Sequence, residues 1–93
     1  MAVKQVDCAI VNTLGLHARP AAEFVKTAGR FRSDVVVRKD GVEVNGKSIM
    51  GMMMLAAECG SSITIVVNGE DAEEACGALQ GLIADGFGEE IAR

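Results

Sequence analysis

The 93-residue sequence lacks an excess of basic charge, a long apolar run and an N-terminal apolar leader. Its 9 Lys plus Arg stand against 13 Asp plus Glu, a net charge of −4. This balance argues against a nucleic-acid partner, because nucleic-acid binding normally needs a basic face. No apolar stretch approaches the roughly 20 residues that span a bilayer, so we expect no membrane insertion. The first seven residues contain no signal-peptide apolar region, and we expect a cytoplasmic protein.

Cysteine and histidine, the usual zinc ligands, are also scarce. Cys8, Cys59 and Cys76 form no CxxC pair, and the only histidine is His17. A zinc site needs about four nitrogen or sulfur ligands at closer spacing. We therefore predict no metal and no cofactor. The three cysteines are expected to be small apolar residues of the core or its edge in a reducing compartment.

Apolar periodicity predicts four strands and three helices in the order βαββαβα within one domain, residues 1–93. The strands are expected over residues 3–11, 35–37, 42–44 and 62–67, with Asp-Gly and Asn-Gly turns at 40–41, 45–46 and 68–69. The helices are expected over residues 18–29, 49–58 and 72–85. The acidic, glycine-containing end, residues 86–93, is expected to fray. The fold class is α+β, a sandwich whose strand order periodicity leaves open.

Capping residues support these helix boundaries. Pro20, the only proline, falls in the first turn of the first helix, where its missing N–H costs nothing. Ser48 is a good N-cap for the second helix. Asp71 with Glu74 fits a capping box for the third helix.

His17 is the one chemically conspicuous residue, because it is expected at the N-cap of the first helix. The free N–H groups and the positive dipole end there favour an anion, and the Arg19 guanidinium suits phosphate. A neutral imidazole in this setting can attack a phosphoryl group and form a labile nitrogen–phosphorus bond, so the group can be handed on. A capping or surface histidine without a chemical role is the alternative.

Two motifs carry a family resemblance. Residues 15–22, GLHARPAA, resemble the phosphohistidine motif of HPr, the histidine-containing phosphocarrier family of the bacterial phosphoenolpyruvate-dependent sugar phosphotransferase system. Residues 47–51, KSIMG, are similar to the serine-centred motif of that family. The resemblance covers nearly the whole chain. It implies an open-faced sandwich, with a four-stranded antiparallel sheet covered on one face by three helices.

The resemblance also implies roles for individual residues. His17 would accept a phosphoryl group on Nδ1 from phosphorylated Enzyme I and donate it to EIIA-type proteins, and Arg19 would stabilise the phosphate. Ser48 would be the regulatory site of an HPr kinase/phosphorylase. The protein is then expected to be a monomeric phosphoryl-transfer carrier rather than an autonomous enzyme. Some family members end with a carboxylate close to the active histidine, but we assign that role to no residue of the tail.

The second predicted helix has a structural and a functional interpretation. A capping serine contributes about 1 kcal/mol without any regulation. Periodicity places Met50, Met53, Met54 and Ala57 on one helical face, and core filling is expected for two of the methionines in residues 50–54. The functional interpretation is an apolar patch beside the histidine that docks partners. The predicted docking residues are Ala18, Ile49, Met50 and Met53.

Two alternatives from other functional classes stay open. Residues 12–15 are similar to regulatory paralogues, such as the nitrogen-related branch, as much as to sugar-system carriers. Such a protein would control its partners by binding and would not drive sugar uptake. The other alternative is a small-ligand-binding α+β domain with an incidental histidine. Uptake of one acid-labile phosphate from phosphoenolpyruvate and Enzyme I separates the carrier from a protein that only binds, whereas the identity of the EIIA acceptor separates sugar transport from regulation.

Overall fold

A computed structural model describes residues 2–92, so Met1 and Arg93 of the expected domain lie outside the described residues. The strands are β1 (Ala2–Ala9), β2 (Asp34–Lys39), β3 (Val42–Asn45) and β4 (Ser62–Gly69). The helices are α1 (Ala18–Ala28), α2 (Ile49–Met54) and α3 (Ala72–Ala84), and a short 3₁₀ helix follows at Gly86–Gly88. The predicted order βαββαβα is confirmed.

The four strands form one antiparallel sheet in the order β1-β4-β2-β3. β4 is central and pairs with β1 on one side and β2 on the other. The β2–β3 hairpin turns at Asp40 and Gly41, which both have positive φ, as the Asp-Gly pair predicts. The sheet therefore places the first strand beside the last one in the chain.

Asn68 and Gly69 are not the turn that their residue types predict. They continue β4 and pair with Val3 and Ala2 at the start of β1. A side chain at Gly69 would bring a Cβ within 2.6 Å of the Cα of Ser33. Glycine is therefore present at this position because another backbone approaches it closely, and the strand runs on through it.

The core lies between the helices and one face of the sheet, which confirms the open-faced sandwich. Burial alternates along β4, where Ile63, Ile65 and Val67 are buried. Each such side chain contributes roughly 1.5–3 kcal/mol when removed from water. The buried residues that face them from β2, α1 and α3 are Val35, Val37, Ala21, Phe24, Ala28, Ala72, Ala75, Leu79 and Ile83.

Helix α2 is shorter than its apolar pattern predicts and buries a different face. It ends at Met54 rather than near residue 58, because Ala56 takes a positive φ of 48° that a right-handed helix cannot contain. Met52 and Leu55 point into the core, and Met52 is the only one of the four helix methionines that is buried. The expectation of two core methionines was therefore wrong. Ala57 is buried beyond the end of the helix.

Asp71 begins α3 but does not form the predicted capping box. Its side chain makes no cap hydrogen bond and instead accepts hydrogen bonds from the backbone N–H groups of Arg32 and Ser33 and from the Ser33 hydroxyl. The Ser33 hydroxyl, followed by the Arg32 N–H, lowers the pKa of Asp71 below its usual range. The carboxylate thus ties α3 to the segment before β2.

The cysteines lie in three different environments. Cys8 is buried, Cys76 is half-buried and Cys59 is exposed, so the expected core or edge position fails for Cys59. Burial raises the pKa of the Cys8 thiol, with smaller contributions from Cys76 and Asp7. None of the three is in a disulfide within residues 2–92. No helix in the same residues is long and apolar enough to cross a bilayer.

The chain end packs onto the domain in the structure, where the sequence indicates fraying. Phe87 is buried, and Ile91 forms an isolated antiparallel bridge with Asn12. The N–H of Thr13 donates to the Glu90 carbonyl at 2.9 Å, and the Ala92 N–H donates to the Val11 carbonyl at 2.9 Å. Residues 86–92, called the tail segment below, therefore lie against the loop that precedes α1.

Candidate functional site

His17 is the N-cap of α1, as predicted. Its backbone is extended, its side chain makes no capping hydrogen bond, and its carbonyl accepts the N–H of Ala21 at 3.0 Å. The backbone N–H groups of Ala18 and Arg19 donate to no acceptor within residues 2–92. Pro20 has no N–H to satisfy. The start of α1 therefore presents two free N–H groups and the positive dipole end.

The loop before His17 is held against the segment that follows α2. Gly15 has a φ of +70°, and a Cβ there would lie 2.8 Å from the carbonyl oxygen of Ala57. The same carbonyl accepts the N–H of Leu16 at 2.8 Å. Only glycine fits this combination of positive φ and close approach. The packing fixes the backbone immediately before the histidine.

One carboxylate from the tail segment lies at the centre of the site. Both oxygens of Glu89 are within 3.0 Å of His17 Nε2, at 3.0 Å for Oε1 and 2.9 Å for Oε2. Arg19 Nε donates to Glu89 Oε2 at 2.7 Å, and Asn12 Nδ2 donates to Oε1 at 3.0 Å. Arg19 Nη2 also donates to the Phe87 carbonyl at 2.6 Å. The structure thus joins His17 and Arg19 through the tail.

The electrostatics of this cluster keep Glu89 ionised. Burial opposes ionisation, but hydrogen bonds from His17, Arg19 and Asn12 outweigh it and lower the pKa of Glu89 to about 2. The side chain of Glu89 is only 14% exposed, whereas those of His17 and Arg19 are 38% and 49% exposed. The carboxylate is therefore shielded beneath a histidine and an arginine that both reach solvent.

The carboxylate also determines which imidazole nitrogen can act as a nucleophile. An ionised carboxylate only accepts hydrogen bonds, so Nε2 of His17 carries the proton that Glu89 accepts. In the neutral ring Nδ1 then bears the lone pair. Within residues 2–92 Nδ1 has no hydrogen-bond partner. A half-exposed, unprotonated nitrogen is thus available at the start of α1.

Asn12 and Glu89 are site residues that the sequence patterns did not predict. Glu89 lies 72 positions from His17 in the chain, and its acidic, glycine-containing surroundings are typical of a solvated end. Asn12 is fully buried, and its Nδ2 also donates to the Gly15 carbonyl at 2.7 Å. A polar residue in a loop is usually exposed, so composition offered no signal for either residue. The sequence led us to assign no tail residue to a carboxylate position at the histidine, whereas the structure places Glu89 there.

Ser48 is the N-cap of α2, and it lies apart from the histidine cluster. Its Oγ accepts the Gly51 N–H at 3.1 Å, the hydrogen bond expected of a capping serine. A Cβ at Gly51 would lie 3.2 Å from the Asn45 carbonyl oxygen and 3.3 Å from the Ser48 side chain, so a larger residue there would force these neighbours to shift slightly. The six residues of α2 span about 9 Å. The loop of His17 contacts the segment after α2, at the far end from Ser48.

Exposed apolar side chains cover the outer surface of α2. Ile49, Met50 and Met53, three of the residues predicted to dock partners, are 44%, 77% and 45% exposed. Met54 and Leu14 are 71% and 74% exposed and were not in that set. Ala18 is exposed at the start of α1. We call Ile49, Met50, Met53 and Met54 the α2 patch.

The chemistry of the site rests on an imidazole, a guanidinium and backbone N–H groups. Within the described part of the chain, no three His, Cys, Asp or Glu side chains are grouped so that they could hold a metal ion. The arrangement offers one nucleophile, one cation with a planar fork of donors and two free N–H groups. These are the groups that bind and stabilise a phosphoryl group.

Comparison with known proteins agrees with this geometry. The family model described as "PTS HPr component phosphorylation site" matches residues 4–85. The phosphocarrier protein HPr of Cupriavidus necator is 51% identical over 85 residues, which are 91% of this chain and 96% of that protein. The HPr-like protein Crh of Bacillus subtilis is 51% identical over 71 residues, 76% of this chain and 84% of that protein.

A solved structure, that of HPr-C-His from Thermoanaerobacter tengcongensis, superposes with a TM-score of 0.90 at 50% identity. The match covers 95% of this chain and 99% of that one. Fold, site and comparisons together define a phosphocarrier-type protein of the phosphotransferase system. The chain belongs to the HPr family.

Proposed function

We propose that this protein accepts a phosphoryl group on Nδ1 of His17 from phosphorylated Enzyme I and donates it to EIIA-type proteins. One observation carries the proposal: the Glu89 carboxylate engages Nε2, so the lone pair resides on the free Nδ1 at the N-terminus of α1. The rate of transfer to His17 would come from positioning of the reacting groups and from stabilisation of charge, as in phosphoryl transfer generally.

The transfer step needs only groups that this chain and its donor contain. The Nδ1 lone pair forms the new nitrogen–phosphorus bond while the bond between phosphorus and the donor breaks, and the donor keeps that electron pair. The Nε2 proton stays in its hydrogen bond to Glu89. The phosphoryl oxygens are stabilised by Arg19 and by the free N–H groups of Ala18 and Arg19.

Regulation at Ser48 is a second part of the proposal. A kinase of the HPr kinase/phosphorylase type would place a phosphate at the N-terminus of α2, where the helix end tolerates negative charge. The same charge would lie next to Ile49 and Met50 of the α2 patch, which are exposed. Regulation would therefore act on docking of Enzyme I and EIIA-type partners to this patch and to Ala18, and would leave the fold intact.

The alternative is a regulatory protein that controls partners by binding alone, and the similarity to Crh favours it as the second candidate. Pure binding, however, needs no imidazole with a free nitrogen at a helix N-terminus.

The carrier also requires no second copy, and we propose a monomer in the cytoplasm. One Crh structure is described as a domain-swapped dimer, so sedimentation of this protein at micromolar concentration tests the monomer.

The function is tested by incubation with phosphoenolpyruvate and Enzyme I, with intact mass as the readout. The wild type is expected to gain one acid-labile phosphate, and His17→Ala to gain none. His17→Ala should stay folded, since the side chain makes no capping hydrogen bond whose loss would destabilise α1. An acid-labile phosphate on folded His17→Ala, or none on the wild type with active Enzyme I, would overturn the proposal.

A further inference from the structure

Methionine is concentrated in one short helix, and most of it lies on the outside. Four of the five methionines of the chain fall within residues 50–54. Met50, Met53 and Met54 are 77%, 45% and 71% exposed, whereas Met52 is buried in the core. Methionine is among the residue types most often found fully buried. Core filling therefore accounts for Met52 alone, and α2 presents its other three thioethers to solvent.

The three exposed methionines belong to one surface. Met53 and Met54 follow Met50 by three and four positions, and side chains at these spacings are neighbours on a helix. Residues 49–54 carry no charged side chain. A small neutral oxidant can therefore reach all three sulfur atoms. Met52, in the same helix, offers an internal comparison because burial shields its sulfur.

A peroxide is the oxidant that this chemistry fits. A lone pair on the methionine sulfur attacks one peroxide oxygen, so a sulfur–oxygen bond forms while the oxygen–oxygen bond breaks. The proton of the transferred oxygen moves to the other oxygen, which leaves as water when the oxidant is hydrogen peroxide. The thioether is oxidised by two electrons to a sulfoxide, and the peroxide is reduced. Methionine sulfoxide reductases reverse the change with a dithiol, which becomes a disulfide as water is released.

Oxidation at these positions would change the surface of α2 and spare the fold. The core contacts of the helix come from Met52 and from Leu55 just beyond its end, which are both buried. Loss of apolar character in the three exposed side chains therefore removes little packing. A sulfoxide oxygen must, however, give up its water when a partner covers it, and an apolar partner surface supplies no replacement hydrogen bond. The penalty thus falls on docking.

We propose that Met50, Met53 and Met54 form a reversible oxidation site, at which a peroxide makes the α2 patch polar and thereby weakens docking of Enzyme I. Acceptance of the phosphoryl group slows while the thioethers are oxidised and recovers when they are reduced. The inference rests on the proposed carrier function and on docking of Enzyme I to the α2 patch.

The test compares two variants that both carry Cys59→Ser, because Cys59 is exposed and its thiol would also react with peroxide. One variant keeps the methionines, and the other, called the leucine variant, has Met50→Leu, Met53→Leu and Met54→Leu. Each is treated with hydrogen peroxide, which is removed before Enzyme I and phosphoenolpyruvate are added. Peptide masses locate the added oxygen atoms, and acceptance is expressed relative to the same variant without treatment.

In the variant that keeps its methionines, the exposed sulfurs should be oxidised at least about tenfold faster than that of Met52. Its kcat/KM for acceptance should then fall by about tenfold or more, mainly through KM, with Tm within a few degrees of the untreated protein. Methionine sulfoxide reductases and a dithiol should restore acceptance. The leucine variant should retain its own untreated kcat/KM, because leucine presents no thioether.

The outcomes separate this inference from the proposed function. Sulfoxides at the three positions with unchanged acceptance would refute the inference and leave the carrier function intact. An equal loss of acceptance in the leucine variant, or a loss accompanied by a large drop in Tm, would refute it as well. Failure of the untreated protein to take up phosphate from active Enzyme I would refute the proposed function, and the effect on docking with it.

Discussion

Substitutions at Ser48 should separate the stability of α2 from its role in docking. Ser48→Ala removes the hydrogen bond from Gly51 N–H to Ser48 Oγ, which is 3.1 Å long. Loss of such a cap costs about 1 kcal/mol, and for a domain of this size that lowers Tm by about 4–8 °C. Ser48→Asp keeps an acceptor at the cap and adds a charge that the helix N-terminus favours. Its Tm should therefore stay within a few degrees of wild type.

Phosphoryl acceptance should rank the two variants the other way, with Ser48→Asp impaired and Ser48→Ala close to wild type. A carboxylate at position 48 lies beside Ile49 and Met50, and docking of a partner there would desolvate it at a cost of about 1–3 kcal/mol. We expect kcat/KM for acceptance from Enzyme I to fall roughly 10- to 100-fold in Ser48→Asp, mainly through KM. Ser48→Ala should accept within about threefold of wild type, because an alanine methyl adds no charge to be desolvated.

Phosphoryl-acceptance assays quenched at early times and thermal melts, both on the same preparations, check that Ser48→Ala mainly loses stability and Ser48→Asp mainly loses acceptance. If Ser48→Asp lost acceptance together with a large drop in Tm, the effect would be unfolding and the docking explanation would be wrong. If Ser48→Asp accepted phosphate as well as wild type, the α2 patch next to Ser48 would not be the surface that Enzyme I uses.

Three further predictions follow from the site and the core. Arg19→Lys should lower kcat/KM for acceptance by about tenfold, because a point charge replaces the Nε and Nη2 fork, and unchanged transfer rates would refute that role. Met50→Lys should raise KM for acceptance with little change in Tm. Met52→Ala should lower the free energy of unfolding by about 2–5 kcal/mol, measured with denaturant, because Met52 is buried and Met50 is exposed. Similar effects of both substitutions would contradict this assignment of the helix faces. The pKa of Glu89 is lowered from 4.5 to about 2, so its stabilising contribution is present above pH 4.5 and is lost as pH falls toward 2. The difference in free energy of unfolding between wild type and Glu89→Gln should therefore shrink over that range. A constant difference would refute the ion pairs.

Local signals predicted much of the fold. Some features depend only on residues close together in the sequence, and the structure has all of them. They are the boundaries of α1 and α3, the N-caps His17 and Ser48, and the Asp-Gly hairpin. The end of α2 was missed because it depends on the positive φ of Ala56, a residue type that gives no such signal.

Contacts between distant parts of the chain were beyond the sequence patterns. The pairing of β1 with β4 joins residues about sixty positions apart, and periodicity does not encode which strands meet. Asp71 looked like a helix cap because Glu74 follows it, but tertiary contacts with Ser33 took its carboxylate. Glu89 was missed for the same reason, since only the folded tail brings it to His17. The candidate nucleophile His17 was therefore predictable from its motif, and the carboxylate that contacts it was not.

The central claim, that the protein carries a phosphoryl group on His17, is tested most directly by the second half of the transfer. The phosphorylated protein is purified away from Enzyme I and phosphoenolpyruvate and mixed with an EIIA-type protein from the same organism, and both masses are followed. We predict that one phosphoryl group leaves His17 and appears on the acceptor, with none released as free phosphate at early times. Phosphate that stays on this protein, or that maps to a residue other than His17, would contradict the account.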